Sequence, residues 1–581
     1  MAAFDLVIRG GTVADGTGAP LNVADVAIID GYITEVGRVT GVGWREIDAD
    51  GALVAPGWVD VHTHYDGQAI WDSRLAPSSN QGVTTALFGN CGVGFAPVRP
   101  AEHNTLVELM EGVEDIPGTA LHAGLTWDWE TFPEYLDALE RLPHDIDFAA
   151  QVPHGALRVY VMGERGAAGK PATSDDIARM AQLTRQAIEA GALGFSTTRL
   201  PNHRSSNGAP APSYTATETE LRGIATALRD AGRGVIQLVS DFENLDTEWQ
   251  VLAGMAEASG RPLSVSVLEH FVMEVTDSST TGAQVLERIS VARADGLAIT
   301  AQVASRPVGL IMGLSTTLHP FMACARFREI ADLPLDAQVA ALRQSEFRQR
   351  LLESYASEIE TGKMFGTVIS RFHRMVRLDD PPDYEQGPEA SITAIAEREG
   401  RTPSEVALDI LLENDGKGLL YLPIANYLNW NVDAVRAMLT HPHAVPALSD
   451  GGAHVGSICD ASFPTYLLSH WGHRRDTDRL PIEFLIERQT RACARLIDLN
   501  DRGVLAPGYR ADINVIDLDN LISRRPEVHL DLPAGGRRFL QRAEGYLHTF
   551  VAGTENYRDG QPTGALPGRL IRGPKPQSGT D

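Results

Sequence analysis

Between residues 147 and 268 the sequence repeats one unit, a short β-forming run followed by a long amphipathic stretch. It reads as strand 147 to 152 (Asp-Phe-Ala-Ala-Gln-Val), helix 174 to 190, strand 192 to 197, helix 217 to 231, strand 234 to 239, helix 247 to 258 and strand 262 to 268. A parallel partner strand has to be reached by a crossover, so strands alternating with helices restrict the chain to an α/β barrel or an open doubly wound sheet. No Gly-x-Gly-x-x-Gly opens any of these helices. That disfavours the dinucleotide-binding sheet, and the expected fold is α/β, a (β/α)8 TIM-like barrel.

The ends follow a different rule. Residues 4 to 9 (Phe-Asp-Leu-Val-Ile-Arg), 25 to 30 and 32 to 36 alternate apolar and polar side chains between Gly and Asp turns, and 511 to 517 and 547 to 552 do the same. Neither end alone can bury a core, so a small β-sandwich domain built from both termini, 1–57 plus 500–560, is expected beside a barrel of 58–499. The stretch 315–390 breaks the β-then-α rhythm with Phe- and Arg-rich helical sequence and reads as an insertion after a late strand. Long insertions of this kind shape or cover a barrel's active site. The tail 561–581, rich in Pro, Gly and Arg, is expected to wrap the surface or fray.

At 581 residues the chain exceeds one compact core. A net charge of −26 with no basic block argues against nucleic acid as a partner. The start carries no signal-like segment and no window approaches the about 20 apolar residues of a membrane span, so no membrane association and a cytoplasmic location are expected. Cys91, Cys324, Cys459 and Cys493 are too few and too scattered for a disulfide framework, and each is judged alone. A small molecule is the expected partner, and self-association into a homo-oligomer stays open.

Three motifs carry chemistry. Pro56-Gly-Trp-Val-Asp-Val-His62-Thr-His64 is a turn running into a strand with histidines at i and i+2, on one face, so that both imidazoles reach one ion at the barrel's active-site mouth. A bare His-x-His is more often a pair of core or surface histidines, and the context has to decide. Phe88-Gly-Asn-Cys91-Gly follows the apolar run from Val83, so Cys91 lies where a strand meets its loop, either as a ligand for a zinc-class metal or as an inert buried thiol. Ser449-Asp450-Gly-Gly-Ala-His454 ends a short strand, and Asp450 either binds a metal and accepts a proton from water or caps a turn.

In this order the motifs resemble the amidohydrolase superfamily, and its D-aminoacylase (N-acyl-D-amino-acid deacylase) branch in particular. The resemblance extends to Asp5-Leu-Val-Ile-Arg-Gly-Gly-Thr-Val-Ala-Asp-Gly-Thr-Gly, Gly89-Asn-Cys-Gly-Val, Arg488-Gln-Thr and Asp501-Arg-Gly-Val-Leu-Ala-Pro-Gly-Tyr-Arg-Ala-Asp512. It implies a distorted eight-stranded barrel, a β-sandwich from both termini, zinc, and hydrolysis of an amide C–N bond. By position it assigns His62, His64, Cys91 and Asp450 to the metal, with Asp450 also as general acid and base.

The sequence departs from that branch at two points. Two further metal-binding histidines of the family belong at the ends of strands 234 to 239 and 262 to 267, where this chain has Gln237 and Val267; Asp241, Glu269 and His270 are near but out of register. Lys170, Lys363, Lys417 and Lys575 end no convincing barrel strand, so a carboxylated lysine does not substitute. One zinc ion per chain is therefore expected. The branch also places an arginine for the substrate carboxylate after the aspartate, and here the loop reads Gly451-Gly-Ala-His454-Val-Gly-Ser-Ile-Cys-Asp460. Arg306 is a candidate substitute, although an Arg before Pro is more often a structural loop residue; His154 and His203 either contact substrate or are loop histidines satisfied by backbone, and His454 is a further candidate for substrate contact. The run Glu111-Gly-Val-Glu-Asp115 is left without a role. The expected function is hydrolysis of an N-acyl amino acid or related small amide. Open beside it are another C–N substrate such as a hydantoin, imide, carbamoyl compound or dipeptide, lyase or hydratase chemistry on the same barrel, and a non-catalytic binding protein of this fold.

Overall fold

The computed structural model describes residues 2–269, 281–358 and 368–576. Eight parallel strands follow one another in space in their order along the chain. They are Trp58–Asp60, Val83–Phe88, Asp147–Pro153, Gly194–Arg199, Val235–Ser240, Leu263–Val267, Ile299–Val303 and Ala444–Pro446. The first and last strands meet just beyond their ends, where Thr63 bridges Gly451 in parallel, His64 N donates to Gly451 O at 2.8 Å and Asp450 N donates to His62 O at 3.2 Å. The curled sheet thus closes through the segments that carry both histidines and the aspartate.

Helices Ser174–Ala190, Glu218–Ala231, Leu245–Ser259 and Gly282–Ala294 cross between successive strands, within one or two residues of the sequence reading where it named them. Each has a side-chain cap at its N-terminus, from Thr173, Thr217, Asn244 and Thr281, satisfying amides that would otherwise lack a partner. Their apolar faces pack on the strands through residues such as Ile188, Leu228, Met255 and Ile289.

The excursion between the seventh and eighth strands is longer than the 315–390 read from the sequence. It leaves after Val303 and includes an antiparallel sheet in which Leu420–Ala425 lies between Val308–Met312 and Val376–Arg377. Helices Leu335–Arg343, Ile392–Glu399 and Pro403–Leu411 share an apolar cluster with it through Leu342, Ile392 and Leu411. Helix Asp433–Thr440 then supplies the crossover to the last barrel strand. The β-type pattern at 308 to 312 escaped notice because that strand is uniformly buried and has no alternation.

The two ends of the chain form one nine-stranded sheet, in which Leu53–Pro56 and Ile513–Ile516 pair antiparallel and join the halves. Not all of 500–560 lies in it. The hairpin Glu527–Leu532 and Gly536–Leu540 leaves the sheet to lie on the barrel mouth, where Phe539 N donates to Val455 O at 2.7 Å. The tail is tied to the barrel's other end by Gly568 N to His144 O and Ile571 N to Phe148 O, so the described part wraps; residues 577–581 lie outside the described residues.

That other end is closed by charge. Asp147, fully buried, receives Arg502 at 2.8 Å and Arg510 at 2.9 Å, and both arginines are themselves buried. Asp147→Ala leaves two buried guanidiniums without this partner, and the expected cost is about 3–5 kcal/mol of unfolding free energy in urea denaturation. A loss under about 1 kcal/mol would show that water reaches this cluster. Among the described residues no helix is long and apolar enough to cross a membrane.

Candidate metal centre

His62 and His64 lie just past the first strand, both nearly inaccessible. Cys91 follows the second strand with a left-handed backbone (φ 53°), as do Asp450 (φ 47°) and His454 (φ 50°) after the eighth. Three non-glycine residues in this sparsely populated region within one site are held there by their surroundings. Cys91 N donates to Gln237 Oε1 at 2.8 Å, and Asp450 N is fixed to the first strand's extension as described.

The side chains converge. One ligand atom each from His62, His64 and Cys91 lies within 4.8 Å of the other two. His62 Nε2 is 3.3 Å from Cys91 Sγ and 3.3 Å from Asp450 Oδ1, and His64 Nε2 is 3.7 Å from the same oxygen. His62 Nδ1 faces Gln302 Oε1 at 2.6 Å, which assigns the proton to Nδ1 and leaves the Nε2 lone pair facing Cys91 and Asp450. Asp60, behind the pair, accepts from Ser449 Oγ and from His62 N.

Burial dominates the electrostatics. It pushes His62 down to about 4 and His64 well below the ordinary imidazole range, and lifts Asp450 and the Cys91 thiol well above theirs. Asp450 Oδ1 is buried and makes no hydrogen bond within the described protein. Two imidazole nitrogens, a thiol and an uncompensated carboxylate oxygen form a donor set suited to a divalent zinc-class ion, whose charge would favour ionised thiolate and carboxylate. The residues therefore fit the metal that the fold implies.

Among the described residues, the two strand positions expected from the resemblance to carry further histidines hold other side chains. Gln237 occupies the inward position on the fifth strand, and on the sixth it faces Ser266, with Gln237 Nε2 3.5 Å from Ser266 Oγ. Val267, at the strand end singled out in the sequence, packs in the apolar layer, and Ser266, one residue earlier, is the one that faces Gln237. Asp241 and Glu269 accept from Glu243 N and Gly282 N as local caps. His270 lies outside the described residues.

The four candidates for substrate contact separate. His154 is buried with both ring nitrogens engaged, Nδ1 with Thr197 Oγ1 at 2.9 Å and Nε2 with Glu220 Oε1 at 3.0 Å, so it belongs to the barrel wall. Arg306 is also not a free carboxylate anchor. It is buried, pairs with Asp460 at 2.9 Å, donates to Cys459 O and Pro307 O, and lies over the rings of Tyr384 and Phe463. His454 and His203 remain at the rim, both half-buried. His203 Nδ1 meets Thr198 Oγ1 at 2.9 Å, and burial with the nearby His454 and His62 lowers its imidazole to about 3.

Glu114 is the residue that sequence reasoning left without a role. It ends helix His103–Glu114, is 1% exposed, and sits 3.3 Å from His64 Nδ1 through Oε1 and 3.6 Å from His454 Nε2 through Oε2. A periodic reading puts a Glu at a helix end in solvent; the signal that opposed this is Gly112. A Cβ there would fall 2.2 Å from Arg204 O, so the helix end is pressed against the 204–206 backbone.

One cavity reaches the centre and a second is lined by chain neighbours of Glu114 and His454. One of about 20 Å³ reaches Asp450 and is lined also by Gln68, Asp460, Arg538 and Phe539; it has room for one water. Another of about 220 Å³ is lined by Asp115, Thr317, Gly456 and Arg537. A third, about 240 Å³, lies at the barrel's opposite end beside His443, where His441 meets Ser290 Oγ, and is remote from this chemistry.

Residues 45–557 match the model of the Amidohydrolase family, and the chain belongs to that family. It is 28% identical to an N-acyl-D-glutamate deacylase of Alcaligenes xylosoxydans xylosoxydans, over 98% of this chain and 96% of that one. Among solved structures it is similar to a D-aminoacylase described by one-metal activation and second-metal attenuation (TM-score 0.64, 23% identity, 98% of this chain and 100% of that chain). It is also similar to the N-acyl-D-glutamate deacylase of Bordetella bronchiseptica complexed with zinc and a phosphonate inhibitor (TM-score 0.62, 22% identity, 98% and 99%).

Proposed function

We propose that the protein is a metal-dependent hydrolase of an amide C–N bond in a small molecule, with an N-acyl amino acid as the favoured substrate class and one zinc ion per chain. The observation that carries this is the convergence of one ligand atom each from His62, His64 and Cys91 within 4.8 Å, with Asp450 Oδ1 beside the two imidazoles at the barrel's closure. Family membership and the near full-length similarity to a deacylase support the reaction type.

His62, His64, Cys91 and Asp450 would hold the ion. Bound there, a zinc-class ion supplies Lewis acidity toward a scissile carbonyl and makes water a better nucleophile at neutral pH. Asp450 takes a proton from the attacking water and returns it to the leaving nitrogen, since its carboxylate accepts when ionised and donates once protonated. Gln302 keeps His62 in the tautomer that presents Nε2. Gln237, already accepting from Cys91 N, positions that loop in place of the family histidine. The side chains at the inward positions of the fifth and sixth strands are neutral, and this favours a single ion.

With Arg306 occupied, the deacylase type of carboxylate anchor is not in place, and Arg537 on the larger nearby cavity is the cation best located to meet an anionic substrate end. A screen of N-acyl D- and L-amino acids, hydantoins and dipeptides tests the reading. Release of a free amine from at least one N-acyl amino acid, lost with Arg537→Ala in KM rather than kcat, is the expected outcome. Hydrolysis confined to cyclic substrates would overturn the substrate class while keeping the reaction type.

A further inference from the structure

We infer that Glu114 is a positioning residue of the metal centre: its Oε1 takes the Nδ1–H of His64, directing Nε2 toward Asp450, while Oε2 holds His454 at the rim. The inference rests on the metal-dependent reading above.

The two metal-facing histidines pose the same physical problem. An imidazole binds an ion through one nitrogen only if the other carries the proton, and that proton needs an acceptor. For His62 the acceptor is Gln302. For His64 it is not supplied by the strand: His64 Nδ1 is buried and has no aligned hydrogen bond, and Glu114 Oε1 faces it at 3.3 Å. A small rotation of either group completes the bond.

Glu114 is costly where it stands. A carboxylate with 1% exposure at a helix C-terminus opposes both solvation and the helix dipole. Among the described residues its ion-pair partners are His64 and His454, with no arginine or lysine, and its Oε2 is buried without an aligned hydrogen bond. A group kept there against those terms fits a role in orienting the centre. Its Oε1 meets the Nδ1 side of the His64 ring, while Nε2 faces Asp450, so it acts through His64 and does not itself ligate. His454 is brought to the same carboxylate, which places a second imidazole at a fixed distance from the reacting region.

The test compares wild type, Glu114→Ala and Glu114→Gln. Zinc affinity is read by competition with a chromophoric chelator, the cobalt-substituted protein by its visible spectrum, and the metal-free protein by thermal unfolding. Glu114→Ala should bind zinc about 10–100-fold more weakly while keeping the thiolate-to-cobalt band, and its metal-free form should be no less stable than wild type. Glu114→Gln, which keeps an acceptor oxygen and the side-chain volume, should recover most of the affinity. Wild-type affinity in Glu114→Ala overturns the inference. So does equal loss in Ala and Gln with an altered cobalt spectrum, which makes Glu114 a direct ligand. If the wild-type protein itself binds no zinc, the metal reading fails with it, a result distinguishable from failure at Glu114 alone.

Discussion

Asp450→Asn is expected to lower kcat by about 10²–10⁴-fold, with the circular dichroism spectrum and most of the bound metal retained. Asparagine keeps the volume of the side chain and a carbonyl oxygen toward His62 and His64, and the backbone bond from residue 450 to His62 O is untouched. What it loses is the capacity to take a proton from water and pass it to the leaving nitrogen. The left-handed backbone at this position tolerates asparagine well, so a folding defect is not expected to obscure the kinetics. Turnover within about threefold of wild type would assign the proton transfers elsewhere.

Removal of the ion should have an effect of the same order or larger. Dialysis against a strong chelator is expected to bring hydrolysis to background, and one equivalent of zinc to restore it. Without the ion, burial lowers both imidazoles and raises Cys91 and Asp450, so the site loses the charge that favours ionised thiolate and carboxylate, and no Lewis acid polarises the carbonyl. His62→Ala should reproduce the chelated state irreversibly, because it removes the nitrogen that lies 3.3 Å from both Cys91 Sγ and Asp450 Oδ1. Full activity in the chelated protein would exclude metal dependence and favour a binding or non-metal role for the barrel.

The barrel was legible because its signal is periodic. Strands such as Val235–Ser240 and helices such as Glu218–Ala231 carry their alternation, caps and breaks in a few adjacent residues. His62, His64, Cys91 and Asp450 were legible because each ends a strand, and strand ends of a parallel barrel share one rim. What was not legible depends on contacts between distant segments. Whether Arg306 is structural or free to meet substrate depends on Asp460, 154 residues on, which pairs with it. The two readings of His154 are separated only by Thr197 and Glu220, distant in sequence, which engage both its nitrogens. Glu114 reaches the centre only because Gly112 lets its helix end press against the 204–206 backbone, and no local pattern encodes that approach. The sixth strand shows the same limit: with a period of two, Ser266 is identified as the residue facing Gln237 only once the register is known.

The central claim is a single ion held where the first and eighth strands close the barrel. Anomalous diffraction at the zinc absorption edge, on crystals grown from catalytically active protein, tests it most directly. One strong peak per chain is expected, bounded by His62 Nε2, His64 Nε2, Cys91 Sγ and Asp450, with none between Gln237 and Ser266. Two comparable peaks, or an active crystal with no peak at the four residues, would contradict it.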